Sequence, residues 1–403
     1  MTKMDTHDPP TTSAATAIIL IAAALMSIGL VMVASASASL DSPVLRTDFW
    51  RATFGRQLVF AALGLAAILF TARIGHRMLR WRPGRWFQPS VLFFAVTIGC
   101  LALVLVPGIG VMRNGARRWL HFGPPDYGLG FQPSELAKLA LVVLLAAYLS
   151  GRQHRLSSFW SGALPTVAAI GLCVGLVGSE DFGTAALLAL VGTLMLLAGG
   201  VRWRHLLLMA APAIAAFIGL LLAKPYRLQR LTGFLDIWSD PQGQGYHPIQ
   251  SLITIASGGW FGTGLGAGVQ KYGYLPEART DFIFAVWCEE TGLVGALLVI
   301  LLFATLLFLG IRASAAAPTL FGRLLAIGVT LMITLQAALN IAVVTASVPP
   351  KGIALPLVSA GGSGVVLLSV AVGLLVSVAR AGGRRGTIPL QTASPSFVQT
   401  SVT

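Results

Sequence analysis

Apolar residues run through this chain in long blocks separated by short polar stretches. Blocks of about 20 residues match the length of α-helix that crosses a hydrocarbon layer about 30 Å thick. Ten such blocks, at 15–37, 56–75, 88–107, 133–150, 162–178, 183–200, 205–223, 282–311, 324–346 and 364–380, predict ten transmembrane helices. The expected fold is all-α and polytopic, with a membrane domain over 15–380 and a short tail at 1–14. The Ser-, Thr-, Pro- and Gly-rich tail at 381–403 is expected to be disordered. ASASA at 34–38 imitates a cleavage site, but the apolar stretch before it is too long and Lys3 is offset by Asp5 and Asp8, so an uncleaved first span is expected. One segment, 224–281 between the seventh and eighth blocks, is far longer than the other loops. Its aromatics (Phe234, Trp238, Tyr246, Trp260, Tyr272, Tyr274) and the stretch ITIASGGWFG predict an ordered, partly helical outer loop that dips into the membrane.

Composition sharpens this picture. With 56% apolar and 10% charged residues, the chain is excluded from the ordinary soluble class, where about a quarter of residues are charged. In a soluble protein the net charge of +14 would suggest a nucleic acid partner; here it asks on which side the cations lie. The two tails, the loops after the second, fourth, sixth and eighth blocks, and the adjoining block ends carry 15 of the 28 basic residues. Past Asp8 they hold no acid, which marks this side, and both termini, as cytoplasmic. The opposite face then holds 12 of the 14 acids, which the topology rule does not require, and function is the leading explanation. Cys100, Cys173 and Cys288 share no close spacing and read as apolar packing residues.

Candidate chemistry gathers on that outer face. Arg113, Arg117 and Arg118 cluster beside Trp119; such guanidinium groups either bind phosphate or snorkel to lipid headgroups. Glu135 and Lys138 share one helix face at the start of the fourth block, as a buried ion pair or as part of a polar cavity. Lys271, Glu277, Arg279 and Asp281 form the densest mixed-charge cluster, and Asp281 at the mouth of the eighth span either caps that helix or serves as a general base. Glu289 and Glu290 lie about 12 to 14 Å deeper, pointing about 100° apart; which of them meets a polar cleft is left open. The segment 347–364, rich in Pro and Gly and carrying Lys351, is expected to wall the outer cavity. No Walker A sequence is present, nor a paired DxD. GTGLGAG at 262–268 lacks dinucleotide spacing and reads as a flexible or tightly packed hairpin, so no nucleotide, haem or flavin is expected.

The segments NGARRW (114–119), FQPSELAKL (131–139), DFGT (181–184), GYHPIQSL (245–252), QKYGYLPEARTDFIFAVWCEETG (270–292) and PPKGIALPLVSAGGS (349–363) together resemble the SEDS family of shape, elongation, division and sporulation proteins. Lys351 and LPEARTDF are closer to the division branch than to the elongation branch. The resemblance implies a ten-helix inner-membrane enzyme that polymerises lipid II outside the membrane during division, working at the septum with a class B penicillin-binding transpeptidase and other division-machinery membrane proteins. It implies that Asp281 is the essential aspartate, Arg118 the arginine before tryptophan and Lys138 the lysine of the QPSELAK motif. Two positions depart from the pattern: Glu180 stands where relatives commonly have proline, and Ala360 where many have tyrosine.

The expected reaction is an inverting glycosyl transfer with Asp281 as base. Arg117, Arg118, Lys138 and Lys271 are expected to face the pyrophosphate, with Trp119, Lys351 and Ser363 as further substrate contacts. Glu277, with Asp281, is a candidate ligand for a divalent cation, Mg²⁺ or Mn²⁺. A lipid-linked oligosaccharide flippase is the rival reading, and a non-catalytic division scaffold the third. The spans are almost uncharged in their inner halves, which favours chemistry at the outer face over transport through the midplane.

Overall fold

The computed structural model describes residues 12–37, 53–82, 87–113, 116–122, 129–222 and 225–386. Twelve α-helices occur among them: α1 (Thr12–Ser37), α2 (Thr53–Ile74), α3 (Pro89–Leu105), α4 (Pro133–Gly151), α5 (Leu164–Glu180), α6 (Phe182–Ala198), α7 (Trp203–Leu222), α8 (Pro225–Leu235), α9 (Tyr246–Ser257), α10 (Ile283–Ala316), α11 (Leu320–Val344) and α12 (Gly362–Gly386). The ten apolar blocks correspond to α1–α7 and α10–α12. Seven of these are long and apolar enough to cross a membrane by length and composition, and α3 and α6 are shorter apolar helices. The long outer loop holds α8 and α9, so it is partly helical as expected. The last helix runs to Gly386, six residues into the segment expected to be disordered; 387–403 and most of the N-terminal tail lie outside the described residues.

Local sequence explains where the helices start. Pro89 and Pro133 occupy first-turn positions, where proline's fixed φ suits the helix and its missing N–H costs nothing. Asp181 caps α6 by accepting from the Thr184 N–H at 3.1 Å, and Thr319 caps α11 through Gly322 N–H. α4 is the central helix, almost wholly buried and packed against α3, α5, α6, α11 and α12. Exposed leucines on α2 (Leu58, Leu65, Leu69) and α10 (Leu297, Leu298, Leu301) form outward faces suited to lipid.

The fold is all-α as expected, with one small exception in the loop between α3 and α4. Residues there form a three-stranded antiparallel sheet of β1 (Gly110–Arg113), β2 (Ala116–Phe122) and β3 (Leu129–Phe131), with Leu120 paired to both Gly110 and Phe131. Backbone polar groups here have no helix to satisfy them, and the strand ladder does so instead.

α10 is broken at Gly292 (φ 68°, ψ −165°). The backbone groups on either side of the break are satisfied by the loop after α9: Leu293 N–H donates to Gly259 O at 3.0 Å and Val294 N–H to Trp260 O at 3.2 Å, while Thr263 and Gly264 donate to the carbonyls of Glu289 and Glu290. The glycine series is therefore a tightly packed loop. Side chains at Gly262 and Gly268 would collide with Glu290 and Glu289.

Candidate active site

Four segments converge: the sheet, the α5–α6 junction, the end of the long loop and the segment 345–361. The turn that presents Asp281 is built by Glu277, whose backbone is left-handed (φ 53°) and whose carbonyl accepts N–H groups from Thr280 (3.1 Å) and Phe282 (3.3 Å). A non-glycine residue in that region costs on the order of 1–3 kcal/mol, so the surrounding contacts must hold it. They include Thr280 Oγ1, which donates to Glu277 Oε2 at 2.9 Å.

The proline-rich segment is stitched to this turn. Ser359 Oγ donates to Thr280 O at 2.6 Å and accepts from Leu355 N–H, and Ala360 N–H donates to Arg279 O. From α11, Asn340 Nδ2 donates both to Asp281 O (2.7 Å) and to Ile353 O (2.6 Å). A Cβ on Gly352 would stand 2.9 Å from Asp281 Oδ2, so a side chain there would push the carboxylate from its place against this backbone. The segment is thus held directly against the turn that carries Asp281.

Asp281 is pushed up from the ordinary aspartate range to about 7, first by burial, then by the negative charges of Glu277 and Asp181, against opposing pulls from Arg118 and Arg230. Arg118, on β2, is anchored by two donations to Glu180 O (Nε 3.0 Å, Nη2 2.7 Å), with Nη1 3.8 Å from Asp181 Oδ2. Lys351 lies over the Phe182 ring at 4.7 Å; burial lowers its pKa while Asp181 works the other way. On α9, His247 stacks on Phe282 at 5.9 Å, and its pKa is lowered by burial and by Arg230 against the pull of Glu277. Arg118, Glu277, Asp281 and Lys351 are therefore brought together, around Asp181.

The remaining candidates sit elsewhere. Arg117 uses its backbone N–H to reach Glu180 Oε2 at 2.8 Å, and Trp119 is half-buried in β2 beside Gly130. Ser363 Oγ accepts from Gln132 N–H at 3.2 Å, joining the starts of α12 and α4. Lys138 is buried, with its ammonium on Glu135 Oε1 (2.8 Å) and Gln336 Oε1 (2.5 Å). Lys271 is withdrawn more completely than the sequence implied: Nζ donates to Glu290 Oε1 (2.8 Å), Ser35 Oγ (2.8 Å) and Gly266 O (2.7 Å). Three acceptors exhaust an ammonium group's three donors. Of the two deeper acids, Glu290 holds this pair, while Glu289 Oε1 accepts from Val269 and Gln270 N–H; both are buried inside the protein.

Asp181, Asn340, Arg230 and His247 were not singled out from sequence. DFGT and GYHPIQSL carried a signal for Asp181 and His247; Asn340 is a lone polar residue in an apolar helix. Among the described residues, no group of three or more His, Cys, Asp or Glu is arranged to hold a metal ion.

Comparison with known proteins covers nearly the whole chain. The cell cycle protein model for FtsW, RodA and SpoVE matches residues 15–383. Stage V sporulation protein E of Bacillus subtilis is 39% identical over 364 residues, spanning 90% of this chain and 96% of that protein. The probable peptidoglycan glycosyltransferase FtsW of Thioalkalivibrio sulfidiphilus is 43% identical over 362 residues, 89% of this chain and 87% of the relative. A chain of a peptidoglycan synthase complex that coordinates polymerization and crosslinking superposes with a TM-score of 0.71 at 32% identity, covering 91% of this chain and 97% of that one. The rod shape-determining protein RodA of Thermus thermophilus gives 0.62 at 29% identity, covering 90% and 95%. The family model and these relatives cover nearly the whole chain, and the chain belongs to the FtsW, RodA and SpoVE family of multi-pass membrane cell cycle proteins, the SEDS proteins.

Proposed function

We propose that this protein is a peptidoglycan glycosyltransferase that polymerises lipid II on the outer face of the cytoplasmic membrane, in the division branch of its family. The observation that carries the reading is the convergence of the half-buried Asp281 carboxylate with Asp181 and the cations that Asp181 faces, Arg118 and Lys351; burial and the neighbouring negative charges raise Asp281 to about 7. A base poised near the operating pH next to fixed positive charge is what transfer of a sugar from a pyrophosphate requires. The acceptor sugar's 4-hydroxyl attacks the donor's anomeric carbon, forming the new C–O bond as the bond to undecaprenyl pyrophosphate breaks. The hydroxyl proton passes to Asp281, and the anomeric centre inverts. Arg118 and Lys351 balance the charge that develops on the departing pyrophosphate.

Asp281 and Glu277 supply two carboxylates. That number suits Mg²⁺ or Mn²⁺ bound partly by substrate phosphates and water rather than by a protein cage. Such an ion would add positive charge at the leaving group; Asp281 and Glu277 would hold it. Names of relatives support the division assignment, and with it work at the septum; the likeness to a chain of a polymerizing and crosslinking complex supports a class B penicillin-binding transpeptidase as partner, and the distribution of basic residues along the sequence supports cytoplasmic termini.

The test is strand synthesis by the purified full chain from lipid II, with divalent cation, with and without the cognate transpeptidase. Wild type should make long strands, and folded, partner-bound Asp281→Asn should not. Equal synthesis by both would remove Asp281 from the chemistry; none by either, combined with lipid II translocation in liposomes, would replace polymerisation with transport.

A further inference from the structure

At the end of α2, four helices leave an open apolar cleft of about 200 Å³. Its walls are Ile74, Met78 and Leu79 from the end of α2 and the turn after it, Phe93 on α3, Val143 on α4 and Leu374 on α12. Thr71 brings the one polar side chain of the lining, and its hydroxyl already donates to Ala67 O at 2.7 Å. Nothing inside can hydrogen-bond a headgroup, a sugar or water, so the cleft suits hydrocarbon. Ile74 and Met78, half exposed, form its rim.

The mouth is cationic. Arg73, Arg77, Arg80 and Arg82 are exposed at the end of α2 and along the turn 76–82, and the sequence contains no acid between Asp48 and Asp126. The turn is fixed in place: His76 N–H donates to Ser377 Oγ at 3.1 Å, and Arg82 N–H and O pair with the Gln88 side chain. Basic clusters beside clefts on the cytoplasmic side of a helix bundle recruit anionic headgroups, each cation contributing about 1 kcal/mol near the surface.

We propose that this cleft between α2, α3, α4 and α12 binds an anionic phospholipid of the cytoplasmic leaflet, one acyl chain lying against Phe93, Val143 and Leu374 and the phosphate meeting Arg77 and Arg80. A neutral lipid would fill the same volume without the charge interaction. A protein helix is too wide for a cleft bounded by four helices, since with side chains it measures about 10–12 Å across.

The experiment uses the purified, delipidated full chain with phosphatidylglycerol or phosphatidylcholine of identical chains. Retained lipid is read by native mass spectrometry and melting temperature by intrinsic fluorescence. Wild type should retain several-fold more phosphatidylglycerol and melt higher with it. Arg77→Ala/Arg80→Ala should lose that preference, Val143→Phe should lose it by filling the cleft, and Arg312→Ala, at an exposed arginine on α10 outside the cleft lining, should keep it. Equal retention of the two lipids by wild type would overturn the site. So would loss of preference in Arg312→Ala equal to that of the double variant, which would mark a diffuse surface effect. Loss in the arginine variant with full retention in Val143→Phe would remove the chain from the cleft; Leu374→Phe replaces that variant should it fail to fold.

Discussion

The carboxamide of Asn340 donates to the backbone carbonyls of Asp281, at 2.7 Å, and Ile353, at 2.6 Å. One buried side chain on α11 thus sets the spacing between the residue proposed as base and the segment that carries Lys351. Replacing it by leucine leaves two carbonyls unsatisfied, each costing about 1–3 kcal/mol where water cannot reach. Asn340→Leu is expected to fold with a reduced melting temperature and to lose roughly 10²-fold in polymerisation, the penalty typical of an ångström-scale misplacement. Steady-state synthesis alongside a thermal melt checks both. Unaltered turnover would show that Asp281 is positioned from elsewhere.

Asp281→Asn keeps the shape of the side chain and its backbone contacts while removing the base. Turnover is expected to fall by about 10²- to 10⁴-fold, with donor binding retained. Strand synthesis on gels and direct binding of lipid II measure the two quantities separately. A variant that binds the donor poorly instead would make Asp281 a substrate ligand.

Asp181 both caps α6 and sits beside Arg118. Asparagine caps helices about as well as aspartate, so Asp181→Asn separates the two roles. Its melting temperature should stay near that of wild type, while donor KM rises because Arg118 loses its charged partner. An unchanged KM would leave Asp181 with capping alone.

Lys271 and Glu290 form an ion pair whose side chains are fully buried. Removing one member of such a pair strands a charge and costs about 3–5 kcal/mol, whereas replacing both by apolar groups is often neutral. Lys271→Met should therefore melt far below wild type, and Lys271→Met/Glu290→Leu should recover both stability and turnover. Recovery of stability without turnover would return Lys271 to the substrate site.

That last residue shows where the sequence stops being legible. The ten spans could be read because each apolar block is long enough to be decided by composition alone. The sheet over 110–131 could not: its strands are short, and ARRWLHF lacks the alternation that marks a half-buried strand. Arg118, Asp281, Glu277 and Lys351 were legible as a site because charge on the outer face needs an explanation. Lys271 looked the same by that criterion, yet its partner Ser35 lies 236 residues away, and pairing over that distance leaves no local pattern. Asn340 carries no charge and stands alone in an apolar stretch, so its role emerges only once α11 is packed against the turn at 277–281.

In the turn after α2, His76 is buried, with Nδ1 2.8 Å from Ser377 Oγ and its ring stacked on Phe321 at 6.1 Å. Burial, aided by the charge of Arg77, lowers its pKa from 6.5 to about 4. The unfolded histidine takes up a proton as pH drops through 6.5, while the folded one stays neutral until about 4. Between those values the unfolded state binds more protons, so stability falls as pH falls, and the loss is complete below the folded value. Carboxylates titrate over part of the same window, so the informative quantity is the difference between wild type and His76→Gln, which keeps a hydrogen-bonding side chain but cannot titrate. Wild type should lose more melting temperature than the variant between pH 6.5 and 4. Parallel curves would show that His76 is protonated without opening the joint between α2, α11 and α12, and that its burial does not oppose the charge.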